Sequence, residues 1–289
     1  MAVQAKQGAV RLVPTACAKP WGRRDFGAWG AGLALGDERI GEIHHCLPVG
    51  VGGDDPELLV KTLFTSERLS IQVHPDMAAA RAAGHARGKD EAWVVLAAAP
   101  GAEIGIGLQA SMTAQALRAA AIDGTIEGMM EWHPCAPGDV FFTVAGTIHA
   151  IGAGVTVFEV QQNLDVTYRL FDYGRGRALH LDDGMAVVRP EPWHRQAVLA
   201  SPGAGRELLV AGPGFVLERV RFSGAGVLQP AAGRPVWVAV VAGTGTIGGA
   251  AFGTGEVWLA ETTVEIAGEG EILLACSGAD ALADLWQAA

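Results

Sequence analysis

The chain has 289 residues, of which half are hydrophobic and only 18% are charged, and this composition argues for a large buried core and against disorder. A formal net charge of −10 argues against a nucleic-acid partner, because nucleic-acid binding requires a basic face. No apolar run approaches the ~18 residues that cross a bilayer, and the first ten residues lack a signal-peptide pattern. We therefore expect a cytoplasmic protein with no nucleic-acid or membrane partner, present as a monomer or homodimer.

Short apolar runs separated by glycine, proline or aspartate recur along the chain and predict many short strands. Most of these runs are rich in β-branched or aromatic residues, which favour strands. The clearest lie at 94–98, 140–144, 155–160, 215–222, 236–243 and 271–278. With 40 glycines available for turns, the pattern predicts a mainly β protein built from barrels.

Two alanine-rich stretches are the exceptions and predict helices. The first covers residues 76–88, and the second covers residues 112–130. Thr113 is expected to cap the second helix, and Gly124 to interrupt it. The sequence thus predicts a small helical insertion at about 110–131 in an otherwise β domain.

A change of composition at residues 189–192, Arg-Pro-Glu-Pro, indicates a hinge between two barrel-like halves. We predict a first domain over residues 1–190, which carries the helical insertion, and a second β domain over residues 191–289. The second half repeats the glycine-punctuated strands but has no histidine after His194. It is therefore expected to be a structural barrel without a metal site.

A polar pair on one predicted strand is the first candidate for chemistry. Gln72 and His74 are two residues apart, so their side chains point to the same face of the strand. Ile71 and Val73 point to the opposite face, where packing is expected, and Pro75 ends the strand. Taken alone, this segment could equally be a half-exposed strand whose polar face contacts water.

A second histidine follows a Pro-Gly-Asp turn at residues 137–139, where proline fixes φ and glycine accepts a positive φ. A short apolar strand comes next, and a turn at Gly146 then brings His149 to the start of the following strand. A lone histidine is usually structural, so the interpretation depends on which other polar residues accompany it.

Four side chains together offer one amide oxygen, one carboxylate and two imidazole nitrogens: Gln72, His74, Glu91 and His149. This set of nitrogen and oxygen donors contains no thiolate. It suits one Zn²⁺ per chain with a position left open for water or substrate. Manganese, iron or cobalt could also occupy such a site, and the sequence does not separate these metals.

The motifs around these residues extend the pattern. They are L-S-I-Q-V-H-P at 69–75, G-K-D-E-A-W at 88–93, G-D-x(6)-G-x-x-H at 138–149, and E-V-Q-Q-N-L-D-V-T-Y-R-L-F-D-Y-G-R at 159–175. In this order they closely resemble type I mannose-6-phosphate isomerase in its short bacterial form, a member of the cupin superfamily. The resemblance implies a catalytic cupin-type jelly-roll barrel followed by a degenerate second cupin.

Carried over position by position, the resemblance implies metal ligands at the same four residues. It also implies catalytic roles for Arg169, Lys89 and Glu159, and contacts to the substrate or its phosphate from Ser70, Lys89 and Arg175. The chain departs from the family at His44-His45, where an aromatic residue often follows Gly-Glu-Ile. The mouth of the site is therefore expected to differ.

The reaction implied by the resemblance interconverts mannose 6-phosphate and fructose 6-phosphate through a cis-enediol, with the metal polarising the carbonyl. The base stays open between Glu159, Lys89 and a metal-bound hydroxide. Two alternatives remain: another metal-dependent cupin enzyme, such as a dioxygenase or epimerase, and a non-catalytic sugar-binding cupin. Gln72 in place of an imidazole favours redox-inert zinc over an iron site.

Overall fold

The structure of the chain is a computed structural model that describes residues 8–30, 33, 37–51, 55–196 and 199–289. Residues 1–7, part of the segment in which the sequence shows no signal-peptide pattern, lie outside the described residues. Among the residues described, no helix is long and apolar enough to cross a membrane.

Strands dominate the first part of the chain. In order they are β1 (Ala9–Arg11), β2 (Val13–Arg23), β3 (Ile40–Cys46), β4 (Leu58–Phe64), β5 (Ile71–Val73), β6 (Glu91–Ala98), β7 (Glu103–Leu108), β8 (Met130–Pro134), β9 (Val140–Thr143), β10 (His149–Ile151), β11 (Val155–Gln162) and β12 (Tyr168–Phe171). All but β1 form two antiparallel sheets. One sheet has the order β2-β3-β4-β11-β6-β9, and the other has the order β12-β5-β10-β7-β8.

These two sheets face each other across an apolar core. Trp93, Val95 and Val157 of the six-stranded sheet cluster with Ile104 and Ile106 of the five-stranded sheet, and all are at most 1% exposed. The inward side chains alternate with outward ones along each strand, which is how a strand buries one face on each side. The result is a barrel-like sandwich with a mostly apolar interior. The polar side chains inside it are those of the candidate site.

The helices lie where alanine-rich segments predict them, with one addition. They are α1 (Met77–Ala82), α2 (Ala114–Asp123), α3 (Ile126–Met129) and α4 (Leu181–Val187), besides a 3₁₀ turn at Gly27–Gly30. Thr113 caps α2, as the sequence predicts, and Gly124 ends it with φ +85°. A mainly β fold with a small helical insertion is therefore confirmed, whereas α4 was not predicted.

The second part of the chain forms a third antiparallel sheet. Its strands are β13 (Arg206–Ala211), β14 (Phe215–Leu228), β15 (Val236–Ile247), β16 (Ala250–Gly253), β17 (Val257–Ala260), β18 (Val264–Ser277) and β19 (Trp286–Ala288). The order β1-β17-β15-β18-β14-β13 includes the first strand of the chain, because Ala9 pairs with Ala260. The predicted boundary near residue 190 stays a prediction, and β1 crosses it.

An apolar layer connects the third sheet to the first. Val60, Val94 and Phe142 of the six-stranded sheet pack in one cluster with Phe215 and Leu217 of β14. Phe142 and Phe215 meet edge to face, with ring centroids 5.9 Å apart. This layer covers the outer face of the six-stranded sheet, so the inner face is left to form the site.

Candidate metal site and active-site cavity

The four predicted ligand residues come from both sheets of the first half. Gln72 lies on β5 and pairs directly with His149 on β10, while His74 follows the end of β5. Glu91 opens β6 in the opposite sheet. Gly138 has φ +94°, as the Pro-Gly-Asp turn requires, and the hairpin after it delivers His149 as predicted. The fold thus brings four side chains from three separate segments to one place.

Three of these side chains converge on a single buried oxygen. Oε2 of Glu91 lies 3.2 Å from Nε2 of His74 and 3.4 Å from Nε2 of His149. All three residues are 1% exposed. Their potential ligand atoms lie within 4.8 Å of one another, a spacing that suits a single cation.

Hydrogen bonds to the backbone set the tautomer of both imidazoles. Nδ1 of His74 lies 2.9 Å from the carbonyl oxygen of Val166, and Nδ1 of His149 lies 2.9 Å from that of Thr147. A carbonyl oxygen only accepts, so each Nδ1 must carry the proton. Each Nε2 is then unprotonated and lies 3.2 or 3.4 Å from Oε2 of Glu91, and an unprotonated Nε2 is what a metal-binding histidine presents.

The charge state of the cluster follows from its burial. Burial lowers the pKa of His74 to about 4 and also lowers that of His149, so both imidazoles are neutral near pH 7. Burial alone would raise the pKa of Glu91, but the groups around it, His74 and Lys89 first, hold it well below its ordinary value. Two neutral imidazoles and a carboxylate are the protonation states that metal binding requires.

Glu91 Oε2 has no hydrogen-bond donor among the described residues, although it is buried. A buried ionised oxygen without a donor is costly, and a cation bound between it and the two Nε2 atoms would remove that cost. The residues present therefore fit a divalent metal. Oε1 of the same carboxylate is occupied, because Nζ of Lys89 lies 2.9 Å from it.

Gln72 borders the cluster with its amide. Its Nε2 lies 3.3 Å from Nε2 of His149, and its Oε1 accepts a hydrogen bond from Oγ of Ser70 at 3.1 Å. A half-turn about the last side-chain bond exchanges amide oxygen and nitrogen with little change of shape. The predicted role of Gln72 as an oxygen ligand requires that second orientation.

A cavity of about 450 Å³ opens beside the cluster. Its walls include Ser70, Lys89, Glu159 and Arg169, all singled out from the sequence, together with Gln72 and Glu91. Lysine is scarce in this chain, with four in the sequence, and three of them line this cavity: Lys19, Lys61 and Lys89. With two arginines they bring five cationic side chains to a wall that also carries four carboxylates, so the cavity is far less acidic than the protein as a whole.

Lys61 is a cavity residue that the sequence did not suggest. Its Nζ lies 3.1 Å from Oε1 of Glu159 and donates to Oε1 of Gln161 at 2.6 Å. Burial alone would lower the pKa of Lys61, but the surrounding carboxylates, Glu159 first, raise it above its ordinary value. A charged residue within the apolar run L-L-V-K-T-L-F was the signal that could have found it.

Glu159 is held on both carboxylate oxygens. Lys61 contacts one, and Nε1 of Trp93 donates to the other at 2.8 Å. The register of the sheet explains this, since Glu159 on β11 pairs with Lys61 on β4 and with Trp93 on β6. Glu159 thus lies in the cavity wall, and its catalytic role stays a prediction.

The two predicted arginines do not share a face. Arg169 lies on β12 and lines the cavity, but the strand ends at Phe171 and a turn follows, with Tyr173 at φ +54°. Arg175 is not among the cavity residues described, whereas Arg177 is. Side chains alternate along a strand, so an uninterrupted strand would have put Arg169 and Arg175 on one face. The turn after Phe171 interrupts the strand.

The two histidines at the mouth face opposite ways. His44 lines the cavity, and its Nε2 lies 2.7 Å from Oε2 of Glu42. Burial alone would raise the pKa of Glu42, but His44, Lys61 and Lys19 lower it to about 2. His45 points to the packed face and contacts Thr62, Nε2 to Oγ1, at 3.1 Å. The departure from the family thus alters the cavity wall at one position only.

The fold and the site define a mainly β protein with a cupin-type barrel and a buried His-Glu-His cluster beside a cavity lined by lysine and arginine side chains. No protein-family model matches the sequence. Among curated proteins, the chain is 36% identical over 198 residues to the mannose-6-phosphate isomerase of Streptococcus mutans. The matched segment covers 66% of this chain and 62% of that protein. It is 36% identical over 154 residues to mannose-6-phosphate isomerase ManA of Bacillus subtilis, covering 51% and 49% respectively. The matched segments span less than two thirds of these relatives.

Solved structures extend the likeness over the whole fold. The mannose 6-phosphate isomerase of Bacillus subtilis superposes with a TM-score of 0.78 at 23% identity, over 93% of this chain and 99% of that one. A mutant of phosphomannose isomerase from Salmonella typhimurium gives 0.69 at 13% identity, over 94% and 100%. The chain has the fold of these proteins, and the resemblance to mannose-6-phosphate isomerases seen in its motifs is confirmed.

Proposed function

We propose that the protein is a zinc-dependent aldose-ketose isomerase that interconverts mannose 6-phosphate and fructose 6-phosphate through a cis-enediol. The observation that carries the proposal is the buried Oε2 of Glu91, which has no donor among the described residues and lies 3.2 and 3.4 Å from the unprotonated Nε2 atoms of His74 and His149, beside the cavity. The relatives named as mannose-6-phosphate isomerases support the same reaction.

His74, Glu91 and His149 would hold the metal, with Gln72 as a fourth ligand through its amide oxygen. A bound divalent ion supplies Lewis-acid polarisation of the substrate carbonyl and charge stabilisation of the enediolate. Zinc suits these neutral nitrogen and oxygen donors, and manganese, iron or cobalt are the alternatives to be separated by reconstitution.

The chain's own cations would orient the sugar phosphate. The pairing of β12 with β5 places Arg169 directly opposite Gln72. Arg169 can therefore put positive charge beside a substrate oxygen that becomes negative during the reaction. Ser70 adjoins Gln72 and offers a hydroxyl to the substrate. Binding of the remote phosphate would fix the reacting carbons against the site.

Proton transfer requires a group that takes the proton from C2 of the aldose and returns it to C1. Among the chain's own side chains Lys89 and Glu159 are the candidates, because both line the cavity and Lys89 adjoins Glu91. Lys89→Met and Glu159→Gln separate them: the variant that loses the base also loses exchange of the C2 hydrogen with deuterated solvent. The other variant keeps measurable exchange.

The proposed activity is tested by coupling fructose 6-phosphate formation from mannose 6-phosphate to a reporter enzyme, on protein of known metal content. We expect turnover that chelation abolishes, that zinc restores and that His149→Ala lacks, because the ligand set is broken. His85→Ala is the matched control, since His85 is exposed and does not line the cavity. Metal-loaded protein that converts no aldose phosphate would refute the isomerase and leave another metal-dependent cupin enzyme or a sugar-binding cupin.

A further inference from the structure

The turn after β12 gives two neighbouring arginines different surroundings. Arg175 packs over the Tyr173 ring at 5.2 Å from its centroid, and its Nη2 lies 3.0 Å from Oδ1 of Asp172. Its Nη1 lies 3.9 Å from Oε2 of Glu67. Its Nε donates to the carbonyl of Asp172 at 3.2 Å, and although its buried Nη2 makes no hydrogen bond with a described residue, Arg175 is not among the cavity residues described.

Arg177 is held by the same aspartate but lines the cavity. Its Nε donates to Oδ2 of Asp172 at 2.7 Å, and its Nη2 donates to Oδ1. Asp172 is 3% exposed, so this two-point contact fixes the plane of the guanidinium. Among the described residues Nη1 of Arg177 has no hydrogen-bond partner, and it remains available to a ligand.

Arg169 lines the same cavity and is also incompletely paired. Its Nη1 donates to the carbonyl of Ala178 at 2.8 Å, but its buried Nε has no partner, and it makes no ion pair with a described residue. Burial and then the nearby charge of Arg177 lower the pKa of Arg169. Arg169 lies directly opposite Gln72 and so belongs with the reacting carbons, and its positive charge near Arg177 favours an anion at this wall of the cavity.

We propose that Arg177, and not Arg175, binds the phosphate dianion of the substrate, with Asp172 as the positioning residue that orients Arg177. This inference rests on the proposed function, because it names the part of the cavity that takes the phosphate. Arg175 instead braces the turn through Tyr173 and Asp172. Arginine suits the role, since its planar fork offers parallel donors to phosphate oxygens.

Titration of the metal-loaded protein with inorganic phosphate tests this assignment without requiring turnover. We expect Arg177→Gln to weaken phosphate binding by at least about tenfold, because a charged hydrogen-bond partner is lost. Arg175→Gln should change it less than about threefold, and Asp172→Asn should weaken it by an intermediate factor. Equal losses in the two arginine variants, unchanged binding in Arg177→Gln, or no phosphate binding by the unaltered protein would overturn the assignment.

Arg177→Lys keeps the charge but not the fork, and it guards against a folding defect in Arg177→Gln. It is expected to retain the thermal midpoint of the unaltered protein and still bind phosphate more weakly. If the protein turns over mannose 6-phosphate, Arg177→Gln should raise KM for that sugar phosphate at least about tenfold, whereas Arg175→Gln should change KM less than about threefold. An equal rise of KM in both variants would contradict the assignment, whereas absence of any isomerase activity would refute only the proposed function.

Discussion

Glu91 carries more of the functional argument than any other single residue. Its carboxylate is 1% exposed, and one oxygen has a lysine partner while the other has no donor among the described residues. Folded proteins rarely leave a buried charged oxygen without a partner, because the desolvation cost is several kcal/mol or more. A cation bound at that oxygen in the working protein would offset this desolvation cost.

His45 makes a pH-dependent contribution to stability that is separate from the metal site. Burial, and then the charge of His44, lower its pKa from 6.5 to about 4. Between those two pH values the unfolded chain binds a proton that the folded chain does not, so the free energy of unfolding falls as pH falls. The contribution is complete above pH 6.5, and acidification to pH 4 removes up to about 3 kcal/mol.

Chemical denaturation of the unaltered protein and of His45→Gln, from pH 7 to pH 4, measures this contribution. The variant should lose less stability on acidification, because it has no imidazole to protonate at that position. His85→Gln, at an exposed histidine, should follow the unaltered protein. Parallel curves for His45→Gln and the unaltered protein would show that His45 is not a buried neutral imidazole.

Sequence reasoning reached the ligand residues because metal chemistry restricts the residue types. Gln72, His74, Glu91 and His149 were singled out by donor type and by their motifs, and the structure brings them together. Their role as ligands stays a prediction. Arg177 was missed because the resemblance implied Arg175, and both lie an even number of residues from Arg169, so strand spacing does not separate them. The turn after β12, with Tyr173 and Gly174 at positive φ, gives the two arginines different surroundings.

At the scale of the element, α2 forms where its end signals predict it. Oγ1 of Thr113 accepts a hydrogen bond from the backbone N–H of Ala116 at 3.1 Å, and Gly124 ends the helix in the left-handed conformation. Three residues of α2 are buried against the rest of the protein: Leu117, Ala120 and Ala121. Local capping and one apolar face are sufficient to position this helix.

Thr113→Ala is expected to lower the free energy of unfolding by about 1 kcal/mol, because one N–H group of the first turn loses its acceptor. Thr113→Ser keeps the hydroxyl and should change it far less. Denaturant unfolding of the three proteins at one pH gives the comparison. A serine variant as unstable as the alanine variant would assign the loss to the threonine methyl group instead of the cap.

α4 shows why some elements were not predicted. It has Gly184 in its middle and ends near Val187 and Val188, so its intrinsic helix propensity is low. A Cβ at Gly184 would lie 2.4 Å from Cδ2 of Leu170, which indicates that the glycine allows close packing on β12. Tertiary contact selects this helix, and a single sequence does not display that contact.

At the scale of the molecule, the two halves share one apolar layer. Phe215 of β14 is fully buried against Phe142 of β9, and β1 pairs with β17 across the chain. The sequence predicted many strands and two barrel-like halves. Local sequence patterns cannot predict a pairing between distant segments, such as that of Ala9 with Ala260. We expect the halves to unfold as one cooperative unit.

Phe215→Ala tests that cooperativity, since it removes a fully buried ring from the shared layer. It should cost about 3–5 kcal/mol and lower the single thermal transition without dividing it. Leu228→Ala removes an equally buried side chain from the apolar cluster within the third sheet and is the matched control. Two resolved transitions in the unaltered protein, or in the Phe215 variant alone, would contradict shared unfolding.

The central claim is that one metal at the Glu91 cluster is required for sugar-phosphate isomerisation. Zinc titration of metal-free protein, with bound metal and mannose 6-phosphate turnover measured on the same samples, tests it most directly. We expect turnover to rise in proportion to bound zinc and to stop rising at one ion per chain. Full turnover in the metal-free protein, or one tightly bound ion without turnover, would contradict it.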